Sequence, residues 1–195
     1  MHRPLKALLA TALFFALTSG AASAATLFSL TGPTENAGSS LTFSLDGIDV
    51  TITSSTGWIH RNFNGLGAGG GLDRNRIGSN ANNNETLTFS FSESVTLTEG
   101  TILDRLGGGE TFDILDGSAN LLGSYSIASP AGPNAILPAN FGLTSDTFVF
   151  RHTGGGGIRV ASLTVSPVPL PAAGWMMLAG LAAFAGMRRR SKALV

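Results

Sequence analysis

Apolar side chains between Thr26 and Val165 recur at every second position, and no run keeps a helical spacing for more than a turn or two. A strand sends successive side chains to opposite faces, so this period commits the chain to β-structure with one face of each strand in a core and the other in water. Leu41-Thr42-Phe43-Ser44-Leu45 and Ile48-Asp49-Val50-Thr51-Ile52-Thr53 show the pattern, with Asp46-Gly47 between them. A two-residue primed turn needs positive φ, which Asp and Gly tolerate, so this pair predicts a tight hairpin. The alternation returns in Thr86 to Phe91, Val95 to Thr98, Thr111 to Leu115, Thr147 to Arg151 and Ile158 to Val165. In the last run the parity slips between Val160 and Ala161, and a bulge there keeps Ile158, Val160, Leu163 and Val165 on the core side. About eight to ten strands in one domain predict an all-β fold, a single antiparallel β-sandwich of jelly-roll-like topology.

The two ends of the chain follow different rules. His2, Arg3 and Lys6 precede an apolar run from Ala7 to Leu17, and Ala22-Ser23-Ala24 supplies small residues at the positions a signal peptidase requires. Residues 1–24 therefore carry the pattern of a secretory signal peptide, with the mature start at Ala25. An N-terminal membrane helix fits less well, because the run is short and Thr18, Ser19 and Gly20 interrupt it. Residues 25–166 are expected to form the exported domain, long enough for one core. No cysteine occurs, which excludes a disulfide framework, a thiolate metal site and a thiol nucleophile.

A formal net charge of zero conceals an asymmetry. All 12 acidic residues lie between Glu35 and Asp146, whereas the middle holds only Arg61, Arg74, Arg76, Arg105, Arg151 and Arg159 and no lysine, leaving it at a formal −6. Nucleic acid is excluded as a partner on this ground, since phosphate binding needs clustered positive charge.

Asn62 to Glu85 is a long stretch rich in Gly and Asn, read as a loop too long for an ordinary hairpin connection. Within it Asp73-Arg74-Asn75-Arg76-Ile77-Gly78 matches the first half of a calcium loop, with oxygen side chains at alternate positions and a glycine at the turn. The second half departs from that pattern: Ile77 stands where an oxygen is wanted, Asn84 takes the twelfth position, and Glu85 falls one residue late. Asp73, Asn75, Asn84 and Glu85 are the candidate calcium ligands, the one metal that the residues leave open, against a plain solvated loop. Asn84-Glu85-Thr86 also matches a glycosylation triplet, a pattern common by chance. A second glycine run, Gly154 to Gly157, links two strands and lacks the lysine and helix of a phosphate cradle.

Catalysis finds no constellation. His60 and His152 are the histidines left in the middle, with no HExxH pair, and both are expected at strand ends or on the surface. No serine stands in a Gly-x-Ser-x-Gly turn. Glu110 and Asp113 fall on opposite strand faces by parity, and Asp116-Gly117 has the look of a turn. The protein is therefore expected not to be an enzyme. Trp58 and Phe63 are candidates for stacking against sugar rings, with core packing as the plainer alternative.

The tail has three parts. Val168-Pro169-Leu170-Pro171-Ala172 precedes an apolar segment over 172–187 of about 16 residues, about 24 Å at helical rise, and a basic cluster of Arg188, Arg189, Arg190 and Lys192. The cluster sets the C-terminus on the cytoplasmic side and the domain outside. Motif, short helix and basic cluster, in residues 167–195, resemble the PEP-CTERM sorting signal in its VPLPA form. The resemblance implies recognition by an exosortase, a membrane-embedded protease of bacteria that make exopolysaccharide, after export across the inner membrane of a Gram-negative-type cell. Cleavage near the motif would convert a transient membrane anchor into release to the cell surface or extracellular matrix. Leu170 stands where the commoner form carries Glu, which leaves the exosortase subtype open. A retained anchor is the alternative, though an anchor has no use for the prolines.

Two functions remain from different classes. One is a non-enzymatic protein of the cell surface or exopolysaccharide matrix, with signal peptidase and exosortase as its processing partners. The other is a glycan-binding β-sandwich module held at the membrane by the C-terminal helix, with Trp58 or Phe63 as platform and the Asp73 loop as its candidate calcium site.

Overall fold

The computed structural model describes residues 24–69, 76–78, 85–104, 109–127, 135–136 and 141–168. The signal segment before Ala24, the motif residues Pro169 to Ala172, the apolar segment and the basic cluster Arg188 to Lys192 lie outside the described residues, as do Asp73, Asn75 and Asn84. Ala24–Val168 forms one compact unit.

The described residues contain twelve strands and no helix. The first six are β1 (Thr26–Ser29), β2 (Glu35–Asn36), β3 (Ser40–Leu45), β4 (Ile48–Ser54), β5 (Trp58–Asn62) and β6 (Gly65–Gly69). They are followed by β7 (Thr86–Asp104), β8 (Glu110–Leu115), β9 (Leu121–Ile127), β10 (Ala135–Ile136), β11 (Leu143–Gly154) and β12 (Ile158–Pro167). All belong to one hydrogen-bonded network in which each pairing is antiparallel.

β7 organises this network. Leu87 to Phe91 pair with β4, whereas Val95 to Asp104 pair with β12, and Ser92, Glu93 and Ser94 between them are exposed. The strand thus leaves one set of neighbours for another at an exposed corner, as strands do where a sheet turns over on itself. Leu87, Phe89, Phe91, Val95 and Leu97 keep one parity and are all buried. They join Ile48, Val50 and Ile52 of β4, Phe148 and Phe150 of β11, and Val160, Leu163 and Val165 of β12 in a single apolar cluster. Strands from distant parts of this network thus pack their apolar faces into one core. Edge-to-face rings fill the middle: Phe89 lies 5.2 Å from Phe150, and Phe91 lies 6.0 Å from both Phe28 and Phe148.

Two local expectations are met in detail. Asp46 and Gly47 have φ of 52° and 80°, and Leu45 pairs with Ile48 across them. The register of β12 against β7 slips between Val160 and Ser162, so Ala161 is the bulged residue and Ile158, Val160, Leu163 and Val165 stay buried.

Other expectations need correcting. The segment from Asn62 is not a loop at its start, because Gly65–Gly69 forms β6, bonded to β5 and, at Leu66, to Val160 of β12. Three alternating glycines leave one face of β6 without side chains, and the propensity that marks Gly as a poor strand former misses a strand whose neighbours need to come close. A β-carbon on Gly69 would lie 2.9 Å from the Trp58 Cβ. The runs Thr86–Phe91 and Val95–Thr98 are one 19-residue strand, and Leu121–Ile127, with its interrupting Gly123, is a strand as well.

Candidate functional site

β5 carries the exposed aromatic that the sequence nominates. Its core-facing residue Ile59 is fully buried, so parity turns Trp58 and His60 to the other face. Trp58 is 58% exposed even though a regular strand holds its backbone, paired with Gly69. The glycine supplies space for the indole's base and fixes where the ring begins. Thr56 Oγ1 donates to the Trp58 carbonyl at 3.3 Å, and Gly57 makes the preceding turn at φ 77°. Beside Trp58 on the same face stands His60, whose neighbours across the sheet are Asn36 and Gly67. Burial, and secondarily the charge of Arg159, holds the His60 imidazole below its ordinary pKa, so it faces this surface as a neutral ring. Trp58, neutral His60 and exposed Asn36 give one apolar plate next to uncharged hydrogen-bonding groups.

Phe63 is more exposed, at 79%, but lies beyond the opposite end of β5 in the turn to β6. Five residues of strand separate the two rings by about 16 Å, so they do not form one platform. Arg61, which parity turns the other way, sits 5.3 Å from the Phe43 ring centre. It donates to the Thr31 carbonyl at 2.7 Å and lies 3.7 Å from Glu35.

Of the candidate calcium ligands only Glu85 is described. It is 5% exposed and its Oε2 accepts the Gly78 N–H at 3.0 Å, which draws the end of the Asp73 loop onto the start of β7. Among the described residues no group of three His, Cys, Asp or Glu converges in a way that would hold a metal.

The largest departure from expectation is His152. Rather than lying at a strand end or on the surface, it is 1% exposed, because it shares the parity of Phe148 and Phe150. Its Nε2 lies 3.0 Å from Glu110 Oε2, and both side chains are fully buried. Glu110 also accepts the N–H groups of Gly156, at 2.7 Å to Oε1, and Gly157, at 2.9 Å to Oε2. The second glycine run therefore wraps a carboxylate that belongs to the protein itself. Gly155, at φ +100°, leaves no room for a β-carbon against Glu110 Oε2. Arg76 holds this loop from outside, Nη1 donating to the Gly156 carbonyl at 2.7 Å. Three donors saturate Glu110, and the neighbouring hydroxyls Thr111 and Thr153 bond each other at 3.0 Å on the opposite face. Among the described residues no nucleophile meets the pair, and its bonds tie β8, β11 and the β11–β12 connection together at the end of the core.

The other carboxylates have structural partners too. Asp113 accepts from Arg151 at 2.7 Å and from Ser124 at 2.6 Å, and these bonds lower its pKa below the usual range. Asp116 accepts three bonds from Ser118 and Asn120 and shapes the β8–β9 turn, where Ala119 takes φ 64°.

No protein-family model matches this chain, and no curated protein does. Among solved structures it is similar to three family 29 carbohydrate binding modules, two of them point mutants of CBM29-2. The mutants are 11% and 10% identical at a TM-score of 0.26, each alignment covering 74% of this chain and 89% of theirs. The third is 11% identical at a TM-score of 0.27, over 74% of this chain and 86% of its own. Scores this low carry no weight for fold or ligand.

Proposed function

We infer that this is an exported, non-catalytic glycan-binding module built on a jelly-roll-like sandwich. One observation carries the reading: Trp58 is more than half exposed on a regular strand, with its base fixed over Gly69 and uncharged polar groups beside it. Leaving an indole in water forfeits the stabilisation of burying it, roughly 25 cal/mol per Å² of apolar surface, and a planar ring held in place offers that surface to a sugar face. Asn36, exposed on this face, supplies hydrogen bonds of the kind a hydroxyl-rich ligand takes up. The acidic, lysine-free middle fits neutral polysaccharide better than a polyanion.

The test is affinity electrophoresis of the full chain through gels containing the exopolysaccharide of its host. Trp58→Ala is expected to abolish retardation, a loss of at least about tenfold in affinity, while leaving the free energy of unfolding within about 1 kcal/mol of the parent. Retardation that survives the substitution sinks the reading. Binding lost in EDTA and restored by calcium would bring Asp73, Asn75, Asn84 and Glu85 into the site, and EDTA-indifferent binding would remove them.

The tail favours a second reading that is compatible with the first. Its prolines, short apolar segment and basic cluster support processing by an exosortase and delivery to the cell surface or matrix. Intact mass of the protein recovered from its host tests this: a chain ending within Val168 to Ala172 supports sorting, and one running to Val195 in the membrane fraction supports a retained anchor.

A further inference from the structure

Among the described residues β3 is an edge strand, and its own sequence carries none of the features that keep edges apart. It pairs with β4 over six consecutive residues without a register shift, and among the described residues no other strand pairs with it. Its sequence, Ser40 to Leu45, has no charge, no proline and no bulge. Edge strands of monomeric proteins are blunted by such devices, because their free N–H and C=O groups otherwise template another strand. β9, the edge at the far end of the sheet path, does carry one: its pairing with β8 slips between Ile114 and Leu115.

The inward row of β3 is also incompletely covered. Leu41 and Phe43 are only partly buried where they pack on the core, and Leu45 is 43% exposed. The outward row, Ser40, Thr42 and Ser44, is exposed.

We propose that β3 is a self-association edge, pairing antiparallel with β3 of a second copy about a two-fold axis at Thr42. The strand's own pattern selects that partner. In this register Leu41 of each copy lies opposite Phe43 of the other, on the face where both are half covered, and Ser40 lies opposite Ser44 on the wet face. Aromatic–aliphatic pairs across antiparallel strands stabilise a sheet. Charge selects the direction. Two copies of an acidic domain repel, and a parallel pairing would bring the two Asp46 side chains together. The antiparallel register instead puts the two Asp46 turns at opposite ends of the six-residue seam. The interface is isologous, as in most closed dimers. It does not depend on what Trp58 binds.

The chain has no cysteine, so one substitution places a unique thiol on the seam. Thr42→Cys puts each thiol opposite its twin, within reach of a short bismaleimide, in full-length protein. Thr51→Cys is the control: its hydroxyl lies 3.3 Å from that of Thr42, but it stands one strand further in on each copy, about 14 Å from its twin. Covalent dimer from Thr42→Cys well above the Thr51→Cys level is the expected result, and equal yields would overturn the proposal. A second measurement guards against trapping by chance collision. In sedimentation equilibrium, Thr42→Lys sets two cations against each other across the seam and should weaken the dimer at least about tenfold, whereas Thr51→Lys should leave it unchanged. A wild-type chain that stays monomeric up to the millimolar range, or a Thr42→Lys chain that dimerises like the parent, refutes the assignment.

Discussion

Glu110 shows how much one carboxylate can organise. Held on β8, it takes partners from two other places: β11 gives His152 and the β11–β12 connection gives two amides. Burying a carboxylate is costly unless it is hydrogen-bonded, and here three donors engage both of its oxygens. His152 Nδ1 is buried and bonds to no described residue, so the imidazole is assigned the tautomer that donates from Nε2. Removing the acceptor leaves a buried imidazole N–H and two amides without partners. Glu110→Ala should therefore cost about 3–5 kcal/mol, and Glu110→Gln, which keeps an acceptor for the amides, clearly less. Urea unfolding checks the order; a loss below about 1 kcal/mol for Ala would show that the cradle does not depend on the carboxylate. The pair was legible in part. Parity places Glu110 with Phe112 and Ile114, and His152 with Phe148 and Phe150, yet the general rule that charged residues face water argued the other way. Nothing in the sequence announces a partner 42 residues distant.

At the scale of elements, the glycines divide by what surrounds them. Gly38, at φ +83°, has open space where a β-carbon would stand, whereas Gly155, at φ +100°, faces the Glu110 carboxylate. Both require left-handed backbone that other residues enter at a cost of about 1–2 kcal/mol. Gly155→Ala must also displace the carboxylate from its amides, so it should destabilise by at least about 1–2 kcal/mol more than Gly38→Ala. Comparing the two unfolding midpoints isolates the contact from the backbone term, and equal losses would mean that the loop adjusts freely. The same division explains which elements the sequence reveals. β3, β4 and β8 alternate side chains of opposite polarity, and their register follows from that pattern. β6 presents glycine on one face and so carries no alternation, while β9 hides its period behind Gly123 and two adjacent leucines. β7 looks like two strands because Ser92-Glu93-Ser94 interrupts its apolar parity, although the backbone continues through the corner. Trp58 was legible as a candidate but not its exposure, because that depends on which face of β5 the rest of the sheet covers.

The order of strands along the chain differs from their order in space, and this shapes how the whole molecule folds. β12 is the last strand made, yet it lies inside the network, bonded to β1, β6 and β7. Thr26 pairs with Val165, so the beginning and end of the domain close against each other. Before β12 arrives, β1 has no partner strand, the outer edge of β6 is unpaired, and the apolar sides of Leu97 and Ile102 lack Val160, Leu163 and Val165. Such long-range pairings are slow to form, and a chain missing the last of them exposes both edges and core. Val168 then ties the C-terminal end of the unit to the corner of β7, its N–H bonding the Ser94 carbonyl at 3.0 Å. A chain stopped after Val168 should accordingly keep a single cooperative unfolding transition. One stopped after Gly157 should lose it and be cut rapidly by protease under native conditions, because deleting the buried apolar side chains Ile158, Val160, Leu163 and Val165 at about 1.5–3 kcal/mol each removes an amount comparable to the whole stability of a typical domain. If the shorter chain instead resists protease and unfolds cooperatively, β1 to β11 form a core without the final strand. In that case β12 would be an appendage to a finished domain.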